Sequence, residues 1–143
     1  MVDRDVLLAK LGELTDQIAR VRALRPSTAG ELAANRDTRD LVAFNLMLAV
    51  QCCLDIASHV IADEGWRAAT TLAGTFERLA ERGVLLQATA DALGKAAGLR
   101  NVVAHGYAGV NVEFLHHGAT AGLSDLDAFT REVAAWIAGR PAS

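Results

Sequence analysis

The sequence predicts an all-α fold: an antiparallel bundle of four long helices with one short helix. Hydrophobic residues make up 52% of the 143 residues but aromatic residues only 5%, so small and aliphatic side chains must fill the core. Alanine and leucine favour helices, and apolar residues recur at the three- and four-residue steps of helical faces. The length suits one core, and we expect a single domain over residues 1–143.

The first two long helices have clear boundaries. The first should end at Arg25, because Pro26 disfavours helical backbone in the residue before it. Its apolar stripe repeats at steps of four and three residues: Leu7, Leu11, Leu14, Ile18 and Val21. A polar connector over 26–40 has room for a short helical turn. The second helix, from about Asp37 to Glu64 with Gly65 as its stop, is apolar on several faces and should be central.

The middle of the chain predicts a short helix and the third long helix. The short one fits residues 70–81 and ends before Gly83. The long one fits residues 85–105, with Gly98 as a weak point. After it, residues 106–123 are dotted with glycine, so we expect a loop there that could hold a brief extended stretch.

The last long helix should start at Ser124, a residue type that caps helix N-termini through its side-chain oxygen. Asp125 and Asp127 suit the positive end of the helix dipole. Gly139 and Pro141 mark its end. Four long helices and a short one joined by brief connections form an antiparallel bundle.

Charge and cysteine content restrict the possible classes of function. The formal net charge is -3, so nucleic-acid binding would need a local basic patch, or patches combined across subunits. Cys52 and Cys53 are adjacent and are the only two cysteines, which excludes a disulfide framework and disfavours a zinc site of usual spacing. Two buried thiols are typical of a reducing compartment.

The N-terminus and the longest apolar stretch both favour a soluble, cytoplasmic protein. The first residues mix acidic and basic side chains and lack the apolar stretch of a signal peptide. The apolar stretch over 41–56 is interrupted by Asn45, Gln51 and Asp55, which a bilayer would disfavour. We therefore expect a core helix and no membrane partner.

Four chemistry-bearing side chains share one stripe of this second helix. Asn45, Cys52, Asp55 and His59 fall within an arc of about 80° at 100° per residue. Asp55 and His59 are four residues apart, so the carboxylate could hydrogen-bond the imidazole and fix its tautomer. The stripe could be a polar seam inside the bundle or at a subunit contact, or it could contribute to an active cleft.

The densest polar chemistry lies in "LRNVVAHGY", residues 99–107. On a helical wheel Asn101 and His105 nearly superpose, while the two valines between them should face the core. Arg100 lies about 140° from His105, too far for contact through short side chains. It could fold back, or reach a cleft formed with a second copy. Gly106 should break the helix and allow Tyr107 to turn outward.

These residue types are suited to phosphodiester cleavage. An arginine fork matches phosphate oxygens and stabilises the charge of a phosphorane, and histidine moves protons at neutral pH. Asparagine can orient the imidazole or the substrate. With no acidic cluster at metal spacing nearby, the set predicts metal-independent cleavage that uses the RNA 2′-hydroxyl as nucleophile. A chance spacing, with Tyr107 as a half-buried anchor under the loop, is the alternative on these grounds.

The segment "RNVVAHGY" resembles the R-x4-H-x-Y motif of HepT toxins, members of the HEPN family of higher eukaryotic and prokaryotic nucleotide-binding domains. Residues 41–65 are similar to the family's long second helix, with D-x-x-x-H near its end. Residues 76–107 are similar to the segment that follows, in order and spacing. The resemblance covers about 100 residues by this comparison of patterns.

The resemblance implies a homodimeric endoribonuclease toxin of a toxin–antitoxin system. Arg100 and His105 would be catalytic, with Asn101 as the polar residue that follows the arginine, and two motifs would face one another across a cleft. A nucleotidyltransferase (MNT-type) antitoxin would transfer AMP to Tyr107 and block the site by bulk and charge. No cofactor is implied.

Two other functions compete with the toxin. One is a non-catalytic HEPN dimer that binds a nucleotide or docks a nucleotidyltransferase; the other is a purely structural helical dimer. Asp55 and His59 are secondary cleft candidates. His116 and His117 have no counterpart in the motif, and we expect them to face solvent, with a metal site as the less favoured alternative.

Overall fold

The longest helix is the centre of the structure, and every other helix contacts it. The computed structural model describes residues 3–105 and 111–140, with the side chains of 101–105 left aside. Within these ranges the chain is helical and has no strand, as the sequence predicts. The helices are α1 (Arg4–Leu24), α2 (Ala29–Ala34), α3 (Arg36–Asp63), α4 (Leu72–Glu81), α5 (Gln87–His105), α6 (Val112–Ala119) and α7 (Ala121–Ala138).

The predicted boundaries of α1 and α3 are confirmed to within two residues. Asp3 caps α1 by accepting a hydrogen bond from the backbone N–H of Val6, and all five residues of the predicted apolar stripe are buried. Asn35 caps α3 by accepting from the N–H of Thr38. Gly65, with φ of +70°, ends α3, because that left-handed backbone conformation favours glycine.

The length and hydropathy of α3 would also suffice for a membrane span. However, 61% of its most apolar window is buried within the fold. Such burial is typical of a soluble protein's core helix, which every neighbouring helix covers. The prediction that this helix is the central one is therefore confirmed.

α4 and α7 meet over the apolar core near the start of α5. Phe76 of α4 and Phe129 of α7 are fully buried with their ring centroids 6.0 Å apart in an edge-to-face arrangement. Thr71 caps α4, and Gly83, with φ of +76°, lies just beyond its end. α5 continues without interruption through Gly98, where the sequence predicts a weak point.

The loop predicted over 106–123 is wrong from Val112 onward, because α6 and the start of α7 occupy that part, with Thr120 between them. Asn111 caps α6 by accepting hydrogen bonds from the N–H groups of Glu113 and Phe114. The glycine in this helix has a packing reason: a Cβ on Gly118 would lie 3.0 Å from a methyl of Leu46. Glycine therefore allows α6 to approach α3 closely.

The predicted start of α7 at Ser124 is also wrong. The helix begins at Ala121, so Ser124 is exposed inside it and caps nothing. Only Thr120 separates α6 from α7, and its hydroxyl donates to the carbonyl of His116. The Thr120 side chain therefore binds the last turn of α6, and no side chain caps the start of α7. The predicted end at Gly139 is confirmed.

Candidate active site around Arg100

Arg100 is fixed to the central helix by a side chain that sequence reasoning did not select. The guanidinium Nε of Arg100 donates to Oε1 of Gln51 at 2.8 Å, a bond that joins α5 to α3. Both residues are half-buried. The sequence shows Gln51 only as a polar interruption of an apolar helix, and the contact depends on packing between residues 49 apart.

Gln51 in turn is held by a carboxylate on its own helix. Its Nε2 donates to Oδ1 of Asp55 at 2.9 Å, one turn further along α3. Asp55 is exposed. The sequence signal for this half of the arrangement is the spacing of four residues, which brings side chains together on one helical face. Arg100, Gln51 and Asp55 thus form one hydrogen-bonded chain.

The predicted hydrogen bond between Asp55 and His59 is wrong. His59 Nε2 lies 3.0 Å from Oδ2 of Asp63, an ion-pair distance without the alignment of a hydrogen bond. The same Asp63 oxygen accepts from the backbone N–H of Asp3. Asp55 points instead to the amide that binds the Arg100 cation. Of the two secondary candidates, Asp55 joins the Arg100 group and His59 packs near the end of α3.

The other two polar residues of the predicted stripe belong to the packed interior. Asn45 is buried and donates from Nδ2 to the carbonyl of Leu41 at 2.8 Å. Cys52 is buried with Sγ 3.4 Å from the carbonyl of Lys10 on α1. Burial, reinforced by the negative charge of Glu13, raises the pKa of the Cys52 thiol to about 11. Asn45 and Cys52 are therefore polar residues of the bundle interior, whereas Asp55 is exposed and does not belong to it.

The face of α3 that carries Gln51 and Asp55 is apolar at its other end. Leu41 and Phe44 are 42% and 51% exposed, large values for side chains of this kind. Together with the two polar residues they span about 80° of the helix at 100° per residue. Phe114 of α6 is also half exposed, beside a cavity of about 460 Å³ between α3, α5, α6 and α7.

The two histidines of α6 behave differently. His117 is exposed, as predicted, and lines the cavity. His116 is half-buried, with Nε2 3.1 Å from the carbonyl of Pro26, so its predicted solvent exposure is wrong. Among the described residues no group of three or more histidine, cysteine or acidic side chains could hold a metal ion.

Three predicted site residues lie outside the described residues or side chains. The helical backbone of α5 includes Asn101 and His105, but the structure does not describe their side chains, nor any atom of Tyr107. The roles predicted for them are therefore untested by the geometry. Arg100 is the predicted catalytic residue of the motif whose side-chain contacts the structure describes.

Comparison with known proteins decides the family. The model of the HepT-like ribonuclease family matches residues 14–133, a range that includes Gln51 and the whole segment from Arg100 to Tyr107. The chain belongs to the HepT-like ribonuclease family. The resemblance and the predicted class of activity, a ribonuclease, are thereby confirmed.

Relatives of this HepT-like chain agree in sequence and in fold. It is 25% identical over 125 residues to the mRNA nuclease HepT of Shewanella oneidensis, covering 87% of this chain and 93% of that protein. It superimposes on a tri-AMPylated Shewanella oneidensis HEPN toxin in complex with MNT antitoxin with a TM-score of 0.83 at 24% identity, over 94% of this chain and 99% of that one.

The same fold also occurs in a protein of unknown function. YutE of Bacillus subtilis, described as a cytosolic protein, superimposes with a TM-score of 0.83 at 19% identity, over 99% of this chain and 96% of that one. These structural likenesses confirm the predicted all-α HEPN-like bundle. Fold alone does not distinguish a nuclease from another protein of this shape, so the function has to be argued from residues.

Proposed function

We propose that this HepT-like protein is the metal-independent endoribonuclease toxin of a toxin–antitoxin pair, with Arg100 and His105 as its catalytic residues and Asn101 beside them. The observation that carries the proposal is the R-x4-H-x-Y motif, which lies inside the matched family range and whose arginine, on α5, is anchored from α3. An anchored guanidinium is suited to a charged transition state, because orientation is set before the substrate arrives.

The reaction is an internal transfer followed by release of one RNA end. His105 removes the proton from a ribose 2′-hydroxyl, and the resulting oxygen attacks the adjacent phosphorus. Arg100 stabilises the additional negative charge on the pentacoordinate phosphorane. The bond from phosphorus to the 5′-oxygen breaks, and that oxygen receives a proton from the second histidine of a dimer. The products are a 2′,3′-cyclic phosphate and a free 5′-hydroxyl.

The homodimer in this proposal has a candidate surface. Leu41 and Phe44 are exposed on the same face of α3 as Gln51, and Phe114 is exposed on α6. Exposed large apolar side chains near a polar site indicate an interface. A second copy there would bring two Arg100 residues to one cleft and raise the local positive charge, which a chain of net charge -3 otherwise lacks.

We further propose that a nucleotidyltransferase antitoxin inactivates the protein in the cytoplasm by transferring AMP from ATP to Tyr107: the tyrosine oxygen bonds to the α-phosphorus of ATP and pyrophosphate leaves. The support is the motif tyrosine at position 107 and the similarity to a HEPN toxin described as tri-AMPylated and bound to MNT antitoxin. AMP on Tyr107 would add bulk and negative charge to the motif that contains Arg100, and negative charge repels RNA phosphate. The two free, buried cysteines fit a reducing compartment.

The nuclease is tested with purified protein free of any antitoxin. Total RNA is incubated in EDTA with the wild type, with His105→Ala, and with Gln87→Ala as a matched exposed variant at the start of α5. We expect cleavage with cyclic phosphate ends from the wild type and Gln87→Ala, and a loss of at least about 100-fold for His105→Ala. If wild-type protein with unmodified Tyr107, as shown by its mass, leaves RNA intact, the proposal is wrong. That result would favour a non-catalytic dimer that docks a nucleotidyltransferase.

The modification is tested separately. The cognate nucleotidyltransferase and ATP should add AMP to the wild type and stop its cleavage, whereas Tyr107→Phe should stay unmodified and active. Intact-mass measurement before and after incubation gives the number of AMP units. Labelling of Tyr107→Phe at wild-type level would show that another residue is the acceptor.

A further inference from the structure

We propose that Gln51 is a positioning residue for Arg100, an assignment that rests on the proposed function of Arg100. Gln51 binds the guanidinium Nε at 2.8 Å with its amide oxygen and is itself held by Asp55 at 2.9 Å through its amide nitrogen. The amide thus orients the cation and links it to the carboxylate of Asp55.

The chemistry of the three side chains fixes the direction of both hydrogen bonds. Arginine only donates and an ionised aspartate only accepts, so a residue between them must offer one acceptor and one donor. A glutamine side chain has both, at opposite corners of one rigid amide. The orientation of the Gln51 amide is therefore determined by its two partners, and reversing it would break both bonds.

A neutral acceptor has an advantage over a carboxylate at this position. A carboxylate on the guanidinium would form a charge-assisted pair and compete with the substrate phosphate for the same cation. The amide oxygen holds Nε without cancelling the charge. The fork of terminal nitrogens, which matches phosphate geometry, is not the part that Gln51 binds. The arrangement orients the cation and preserves its attraction for RNA.

Two substitutions separate orientation from charge. Gln51→Met keeps the length and volume of the side chain but removes both hydrogen bonds. We expect kcat for RNA cleavage to fall about tenfold with KM near the wild-type value, because the bond to Nε orients Arg100 for the transition state. Gln51→Glu keeps an oxygen on Nε but adds a negative charge, so KM should rise more than kcat falls. Gln87→Met, at an exposed position of α5, is the matched control and should cleave as the wild type does.

A measurement that does not depend on cleavage accompanies these kinetics. The Nε–H of Arg100, assigned by its absence in Arg100→Lys, gives a nitrogen–proton NMR signal whose exchange with solvent reports the hydrogen bond. We expect exchange at least about tenfold faster in Gln51→Met than in wild type or Gln51→Glu. Circular dichroism and melting curves establish that each variant is folded. Gln51→Glu, which retains the bond to Arg100, supplies the charge test even where Gln51→Met unfolds.

The outcomes distinguish this inference from the proposed function. Wild-type cleavage that requires Arg100 but is unchanged in both Gln51 variants overturns the positioning role and leaves the nuclease intact. Equal rises in KM in both variants also overturn it, because orientation and charge would then have no separate effects. Absence of cleavage by unmodified wild type overturns the nuclease and the positioning role together, whatever the NMR signal shows.

Discussion

The two ends of α5 are held to the bundle by opposite chemistry. Near its start, Glu132 of α7 accepts hydrogen bonds from the backbone N–H of Leu86 at 2.7 Å and from the hydroxyl of Thr89 at 2.6 Å. Near its other end, the neutral amide of Gln51 accepts from charged Arg100. The carboxylate of Glu132 accepts from neutral donors, an arrangement that favours stability. The amide of Gln51 is neutral, so it binds Arg100 without neutralising the positive charge of the guanidinium. The difference separates the structural end of the helix from the functional end.

The strongest test of this difference between the two ends of α5 is to replace Arg100 with another cation. Arg100→Lys keeps the positive charge but loses the planar fork and the Nε–H that Gln51 binds. We expect RNA cleavage to fall about 100-fold with the melting temperature nearly unchanged. Single-turnover cleavage and thermal unfolding measure the two effects, with exposed Lys95→Ala on the same helix as control. Full activity of Arg100→Lys would mean that only charge matters at this end.

The structural end should show the reverse behaviour. Glu132→Ala leaves the hydroxyl of Thr89, a residue only 5% exposed, without its acceptor. We expect a loss of about 2 kcal/mol in the free energy of unfolding, which lowers the melting temperature by roughly 5 to 10 °C. Activity per folded molecule should persist.

The measurement is thermal unfolding at one fixed protein concentration, since an oligomer's melting temperature depends on it. Arg131→Ala, an exposed neighbour on α7, is the control and should melt near the wild type. A Glu132→Ala protein that melts normally but no longer cleaves RNA would contradict the division between the two ends.

A milder change at Glu132 sharpens the contrast. Glu132→Gln keeps one oxygen acceptor and removes the charge, so we expect a loss of about 1 kcal/mol, close to an ordinary neutral hydrogen bond. Urea unfolding of wild type, Glu132→Gln and Glu132→Ala should give three ordered midpoints with equal slopes. Equal midpoints for Glu132→Gln and wild type would show that neither the charge nor the second oxygen of the acceptor is important at this end.

The smallest effect concerns the interior contact between α3 and α1. Burial raises the pKa of Cys52 from its ordinary value of 9.0 to about 11, so the folded state favours the protonated thiol. This contribution to stability is complete below pH 9 and is lost as pH rises towards 11. Cys52→Ser keeps a donor for Lys10 and does not ionise. The stability difference between wild type and Cys52→Ser should therefore shift towards the variant above pH 9; a constant difference would argue against the raised pKa.

The sequence was sufficient where local rules decide the structure. The stripe from Leu7 to Val21, the proline after Arg25 and the glycines at 65 and 83 specify faces and ends from neighbours within a few residues. Those helices form where predicted. The prediction at Ser124 is wrong because sequence alone does not distinguish a serine inside a helix from a serine that caps one. The end of α6 at Thr120 places the start of α7 three residues before Ser124.

The polar contacts of the site depend on distances that a sequence does not contain. The motif identified Arg100, but its partner Gln51 lies on another helix, and the turn of α3 relative to α5 decides which side chain meets the arginine. Asp55 and His59 have the right spacing for a pair, yet Asp55 accepts a hydrogen bond from Gln51 and His59 lies instead beside Asp63, each one turn away. Local periodicity brings candidates together; interhelical packing selects among them.

The position of Glu132 has a consequence for the order in which the protein is completed during synthesis. The side chain that secures the start of the arginine-bearing helix lies on the last helix, and so does Phe129, whose ring closes the core against Phe76. A growing polypeptide that has not yet released α7 lacks both contacts. The start of the helix that carries Arg100 therefore gains these contacts only after α7 has been synthesised, whereas α3, which binds Arg100 itself, is made earlier.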